Sequence, residues 1–313
     1  MPDLTPADVS ELKSFLLETG QEIRRWLPAP QWDPVWDSEA ARECANTEQG
    51  AAGLWGDDPL RTVYACGAVY IDTILRCLCA LGDALSPETT PYVLEAVARA
   101  GMEAGAVLWW LLEPNIGARR RVIRFWLIQA SGARHLDSAV KRVDPKAPPG
   151  NYGRTPAAVR DEMAKLKLNL VEKETRRKDK STGKQWSTWS WSCETDKFPS
   201  YTARAQDFEA AVQMSAAYAI YSAAAHAEWH AVIAGWRDEP LPGGGRILVS
   251  RPDLVAAGGA VLASAGFAIV PATRALKLLG RTARMVEVGY HARRADDMIH
   301  RLGLPEEWTH WRR

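Results

Sequence analysis

Helix starts punctuate this chain, and little else of regular period does. Thr5-Pro6-Ala7-Asp8 puts a hydroxyl at an N-cap and a proline in the first helical position, where a missing N–H costs nothing. Val9, Leu12, Phe15, Leu16, Ile23 and Trp26 then recur near helical spacing until Pro28 and Pro30 stop the run. Thr155-Pro156 repeats the signal, and Ser86-Pro87 before Glu88 and Pro91 is another. Beyond the first, helices are expected over 59–85, 92–112, 117–143, 157–174, 202–236, 251–279 and 281–302, with a short one over 38–45. The long helix at 202–236 carries a candidate break near Gln213, and the one at 251–279 a candidate kink near Pro271. The stretch VYACGAVYIDTIL (63–75) is apolar nearly all round and should be central. Most connections are short, so neighbours should run antiparallel. The expected fold is all-α: one helical bundle of about eight helices filling 1–313 as a single domain.

Motif absences narrow the chemistry. No GxGxxG follows a strand-like run, and neither a P-loop nor a GxSxG occurs, which sets aside dinucleotide-binding, P-loop and α/β-hydrolase folds. The 39 basic and 38 acidic residues nearly cancel, against a globally basic nucleic-acid binder. Cys44, Cys66, Cys77, Cys79 and Cys193 contain no CxxC pair, against a disulfide framework or a zinc ribbon. The opening MPDLTPADVSELK has no basic region leading into an apolar run, so no signal peptide is read there. The apolar stretches 254–270 and 210–234 are Ala/Gly-rich and broken by polar residues, and read as core helices, not spans. A cytoplasmic protein is expected, and 28 Arg against 11 Lys in an Ala-rich chain fits a high-GC bacterial source.

One segment breaks the helical pattern. Residues 173–200 (KETRRKDKSTGKQWSTWSWSCETDK and onward) are polar, basic at first and then Trp-rich. WSTWSW partly alternates with period two, which fits a hairpin; a loop or lid is the other reading. The chain has 14 Trp against 8 Tyr and 5 Phe, and they divide by position. Trp109, Trp110, Trp126, Trp229 and Trp236 fall on expected helices as core or pocket wall, whereas Trp186, Trp189 and Trp191 lie in the insert. The near-zero net charge is thus an average over a basic loop and a mixed remainder.

Three constellations could carry chemistry. Tyr218, Ser222, His226 and His230 are spaced by four and form one helix stripe among alanines, beside Tyr221 and Glu228. A polar stripe in such surroundings needs partners, so it should face a polar cavity or another helix's charges. His226 supplies a proton acceptor near neutral pH. His226 and His230 have metal-ligand spacing, but without HExxH or an evident third ligand no metal site is expected. Second, Arg99 and Glu103 sit one turn apart, near Trp110 and ahead of Arg119, Arg120, Arg121 and Arg124; Arg forks bind carboxylate or phosphate at two points. Third, Arg294 and His300 frame RADDMIH, with Arg284 and His291 a similar pair; Asp296-Asp297 begins a DDxxD-like string whose fifth position is His300.

As a set, VARAGMEAGAVLWWLLEP (97–114), the arginines from Arg119 to Arg124, Pro199-Ser200-Tyr201-Thr202 and YAIYSAAAHA (218–227) resemble an uncharacterised family of all-helical proteins from high-GC bacteria. The resemblance covers about 60–235, so 58–236 would be the family-like core, with 173–200 an insert and 251–313 additional C-terminal helices. It implies Arg99, Glu103, Arg124, Ser222 and His226 as marked positions, and a relation to HEPN-type helical bundles, whose ribonucleases use an Arg followed by His.

The leading expectation is a polar, aromatic-lined cavity that binds or transforms a small molecule, in the manner of specialised metabolism. His226, Glu103, Ser222 and Tyr218 would be the catalytic groups, and Arg99, Arg124, Trp110 and Trp229 the substrate-binding ones. The alternatives are a HEPN-like RNA-acting or defence protein, and a structural, partner-binding bundle without catalysis. A closed, Trp-lined cavity reaching His226 would mark the first reading. The sequence names no cofactor, favours neither nucleic acid nor membrane as partner, and leaves homodimerisation open.

Overall fold

The computed structural model describes residues 4–27, 32, 34–50, 59–89, 91–146, 148, 154–178, 185–212, 217–226, 236–240, 246–250 and 254–303. Among them are ten α-helices and two small antiparallel sheets, so the chain is mostly helical, as its periodicity indicates. In chain order the helices are α1 (Pro6–Trp26), α2 (Glu39–Gly50), α3 (Pro59–Ala84), α4 (Pro91–Leu111), α5 (Ala118–Val143), α6 (Pro156–Lys165), α7 (Tyr201–Val212), α8 (Ala217–Ala225), α9 (Leu254–Leu278) and α10 (Met285–Arg301). The strands are β1 (Leu170–Lys178), β2 (Gln185–Cys193), β3 (Asp196–Lys197), β4 (Trp236–Pro240) and β5 (Arg246–Ser250).

The packing divides into two compact units of discontinuous chain. Unit 1 comprises Met1–Ser38, Gly67–Glu113 and Tyr201–Arg313; unit 2 comprises Glu39–Cys66 and Pro114–Ser200. Within unit 1, α9 is the central element. It packs against α4, α1 and α7 and buries most of its residues. Phe267 of α9 meets Phe208 of α7 at 5.7 Å between ring centroids, and Tyr221 of α8 edge-on at 6.2 Å. Gly105 of α4 makes room for this: a Cβ there would lie 2.7 Å from the Phe208 ring and 2.9 Å from the Phe267 carbonyl oxygen. Both α3 and α9 are long and apolar enough to cross a membrane. Of their most apolar windows α9 buries 78%, as a core helix does, and α3 only 44%.

The N-terminus follows its sequence signal closely. Thr5 and Asp8 form a reciprocal capping box, with Pro6 in the first turn. The far end of α9 closes on Gly280 at φ +74°, where Gly280 N–H donates to Lys277 and Arg281 N–H to Leu276. A Cβ at Gly280 would also strike the Ser38 Cβ at 2.7 Å, so the position needs glycine twice over.

Two helix expectations are corrected. The helix expected over 157–174 stops at Lys165. Lys167 enters the left-handed region at φ +53° and donates to Ala164, while Leu168 donates to Met163, a double bond that ends a helix. The charged run after it, Leu170–Lys178, is strand β1, because pairing with β2 overrides its helix-like charge pattern. Of the helix expected over 202–236 with a candidate break near Gln213, α7 covers Tyr201–Val212 and α8 Ala217–Ala225, but His226 is already in a turn and Trp236 opens strand β4 instead of ending a helix. Trp236 pairs with Ser250 in a second hairpin, β4–β5, that no alternation in the sequence announced. The Trp-rich insert resolves to the hairpin reading. Its β1–β2 ladder runs from Leu170 opposite Cys193 to Lys178 opposite Gln185, and β3 adds a short third strand.

Unit 2 is organised around α5 and a buried charge network. Arg121 is fully buried; its Nε donates to Glu43 Oε2 at 2.8 Å and its Nη2 to Glu43 Oε1 at 2.9 Å, a two-point fork. Glu39 accepts a further bond from Arg121 at 3.2 Å, and the Tyr64 hydroxyl donates to Glu43 at 2.9 Å. Burial first, and the Glu43 charge second, push the Tyr64 phenol far above its ordinary range. The β-ribbon is fastened to the same helix: Arg120 and Arg124 both bond Asp196, at 2.8 and 3.3 Å.

Candidate functional site

The candidate site lies in unit 1, on α3, α4, α7 and α8. Arg99 and Glu103 are one turn apart on α4, and Arg99 Nε donates to Glu103 Oε1 at 2.8 Å, the pair their spacing requires. Helix α8 brings Tyr218 to them, with the Arg99 guanidinium carbon 5.6 Å from the centre of its ring. The Tyr218 backbone is fixed from α7: its N–H, in the first turn of α8 where such groups lack helical partners, donates to Glu209 Oε1. Glu209 is nearly buried. Desolvation raises its carboxyl above the usual range, with the Tyr218 N–H bond acting in the opposite sense.

Arg204 joins this group and is absent from the sequence-derived candidates. It is 3% exposed, stacked 4.6 Å from the Tyr201 ring centre, and bonded to Tyr201 through its side chain. Burial draws its guanidinium below the ordinary arginine value, while Tyr201, Tyr70 of α3 and Glu103 hold it up. A guanidinium remains a cation under such a shift. The signal was present: the buried stripe of α7 reads Arg204, Ala205, Phe208, Glu209 and Val212, so an Arg and a Glu sit where a plain core helix would carry aliphatics.

The remaining candidates separate. Ser222 is half-buried on the Tyr218 face of α8, and its carbonyl accepts the His226 N–H at 3.0 Å. His226 stands one residue past the helix end and is exposed. Tyr221 turns into the core against Phe267. Trp110 is half-buried on α4, and Trp229 and His230 lie outside the described residues. Arg124 belongs to unit 2, buried on Asp196. On α10, Arg294 is bonded by Glu18 and His300 is exposed, while Asp296 is fully buried and Asp297 exposed. Those two aspartates therefore face opposite ways and do not form one cation-holding pair. Among the described residues, no three His, Cys, Asp or Glu side chains converge as metal ligands would.

An open groove of about 580 Å³ runs between α3 and α4, lined by Thr73, Arg76 and Cys77 on one side and Tyr92, Val93 and Val97 on the other. Ala96 and Ala100 complete its α4 wall. It is mainly apolar, contains no Trp and does not include His226, so it is not the closed Trp-lined cavity the sequence led us to expect. Its direction matters more than its lining. On α4, Ala96 and Glu103 are two turns apart on one stripe, and on α3 Tyr70 is one turn before Thr73. The stripes lead from the groove towards Tyr70 and Glu103, two of the three residues that act on Arg204. No family model matches the chain, and no curated relative or solved structure matches it either.

Proposed function

We propose that unit 1 binds an amphipathic organic acid, its apolar body along the α3–α4 groove and its carboxylate at the end marked by Arg204 and Arg99. The observation that carries this reading is Arg204: a guanidinium 3% exposed, with Tyr201, Tyr70 and Glu103 around it. Holding a cation out of water is costly, and such groups recur where an anion must be recognised. Arginine suits a carboxylate because its fork engages both oxygens. Glu103 fixes Arg99, and Glu209 fixes Tyr218, so the site is pre-shaped before a ligand arrives. In this reading Glu103, Tyr218 and Ser222 orient the ligand, and His226 is the proton acceptor for any reaction at its exposed end.

The test is calorimetric titration of the full chain with decanoate and 2-naphthoate. Arg204→Met should weaken binding by roughly 10- to 100-fold, the worth of a charge-assisted hydrogen bond at about 1.5–3 kcal/mol. Ala96→Trp, which fills the groove, should weaken it comparably while leaving acetate unaffected. Equal affinity of wild type and Arg204→Met for both acids refutes the reading.

A further inference from the structure

We propose that the outward face of the β1–β2 ribbon in unit 2 binds the phosphodiester backbone of a single-stranded nucleic acid. The near-neutral total conceals two oppositely charged parts. Unit 2 holds 21 Lys and Arg against 14 Asp and Glu, a net of +7; unit 1 holds 18 against 24, a net of −6. The surplus of unit 2 lies entirely in 114–200, with 19 basic and 9 acidic residues. A polyanion is therefore drawn to one unit and repelled by the other.

The ribbon sorts its own side chains by parity. One face is turned to α5: Trp189 lies 3.7 Å below the Arg134 guanidinium, Trp191 packs 6.0 Å from His135, and the Trp191 Nε1–H donates to Glu172 at 3.1 Å. Glu172 and Glu174 share that parity, so both acids of β1 are on the α5 face. The opposite parity carries Val171, Lys173, Thr175 and Arg177 on β1, and Trp186, Thr188, Ser190 and Ser192 on β2. At these register positions, among the described residues, the sequence has two basic residues, four hydroxyl residues and one tryptophan, and no acidic residue. Lys173 and Thr175 are exposed, and even Val171 is 50% exposed.

The register sets the chemistry in rows. Lys173 is opposite Ser190, Thr175 opposite Thr188, and Arg177 opposite Trp186. Lys173 and Arg177 are about 14 Å apart at about 3.4 Å per residue, with hydroxyl residues between them. Cations, neutral hydrogen-bonding groups and one aromatic position along a strip are what a sequence-tolerant single-strand binder uses: charge tracks the backbone and the aromatic stacks a base. Of the neighbouring basic residues on the other parity, Lys178 is exposed and raises the local potential, while Arg176 is paired with the exposed Glu174 at 3.5 Å.

The probe is a fluorescein-labelled 20-mer, oligo(dT) in one arm and oligo(U) in the other, titrated with the full chain by anisotropy between 50 and 200 mM KCl. Binding is expected, with log K falling linearly in log salt. Lys173→Glu/Arg177→Glu should weaken it at least tenfold and flatten the slope by about 1.4, two contacts at about 0.7 each. Trp186→Ala should weaken it roughly 5- to 100-fold, a stacking contact of about 1–3 kcal/mol, with the slope unchanged. The charge-matched Lys13→Glu/Arg25→Glu pair in unit 1 should leave binding within twofold. If the ribbon variant loses ellipticity, Lys173→Gln/Arg177→Gln is read in its place. Absence of binding at 50 mM KCl overturns the proposal. So does an equal loss in the unit 1 control, or tighter binding to a duplex or to phosphatidylserine vesicles than to either oligomer.

Discussion

Two glycines one turn apart on α4 should respond to the same substitution with opposite signs. At Gly101 an added Cβ would sit 3.4 Å from the Cys77 Cβ, an ordinary contact, so Gly101→Ala should stabilise by up to about 1 kcal/mol through helix propensity alone. At Gly105 the same atom would come within 2.7 and 2.9 Å of the Phe208 ring and 2.9 Å of the Phe267 carbonyl oxygen. A ring can tilt, but it is already held against Phe267 and Trp109, and a backbone oxygen in the middle of α9 moves only with its helix. Overpacking of this kind costs about 1–3 kcal/mol, which outweighs the propensity gain. The net expectation for Gly105→Ala is a loss of about 1–2 kcal/mol. Urea titration followed by Trp fluorescence reads both, and Trp109 reports directly on the strained contact. Because Phe208 is one turn beyond Arg204 on α7, Gly105→Ala should also weaken acid binding, whereas Gly101→Ala should not. Equal stability changes at the two positions, or a stabilised Gly105→Ala, would refute the close approach of α4, α7 and α9.

Arg121→Met should destabilise by about 3–5 kcal/mol, because Glu43 would be left charged and buried; pairing it with Glu43→Leu should recover most of the loss in the same urea titration. Glu209→Gln should stabilise near neutral pH. The Glu209 carboxyl is raised by burial, so its favourable contribution is present below the ordinary carboxylate range and lost as pH rises through the folded value. The glutamine keeps the acceptor for the Tyr218 N–H, and its advantage over wild type should vanish below about pH 4; an advantage independent of pH would contradict the burial argument. Arg134→Ala should loosen the ribbon by about 0.5–2 kcal/mol through loss of the stacking on Trp189, seen as faster amide exchange in β2.

The helices were legible where a local device marks them. Thr5-Pro6 and Thr155-Pro156 both cap as their sequences say, and the apolar stripes of α3, α4 and α9 fall where their periodicity puts them. The ends decided by tertiary pairing were not. Lys167 carries no mark of the left-handed turn that ends α6, since glycine or asparagine usually fills that place. The first half of β1, 170–174, reads as the end of an amphipathic helix until its partner strand is known. WRDEP, which begins where the expected helix ends at Trp236, likewise has no alternation to mark it, and only its ladder with Arg246–Ser250 makes it a strand.

The site was half legible for a related reason. Arg99 with Glu103 is an interaction within one helix, so spacing alone gives it. Arg204 acts with residues of α3 and α4, and no pattern within α7 reveals which neighbours face it; what the sequence does show is a charged residue on a buried stripe. His226 is a different case: its N–H still closes the helical bond to Ser222 that the four-residue spacing implies, but α8 ends at Ala225 and the residue is exposed, which spacing alone does not reveal. Charge behaves similarly at the scale of the whole chain. A sum near zero says nothing about sorting, and folding sorts these charges because its two units draw on different stretches of sequence. The basic run 173–178 was visible from the start; its meaning depends on the register, which gives Glu172 and Glu174 the parity of Trp189 and Trp191 and gives positions 173 and 177 the other. A shift by one residue would exchange those faces and put the two acids outward. The polyanion reading therefore stands or falls with the pairing of Lys173 and Ser190, which a Lys173→Cys/Ser190→Cys cross-link under mild oxidation tests directly: ready closure supports the register, and failure to close removes the acid-free face on which the reading depends.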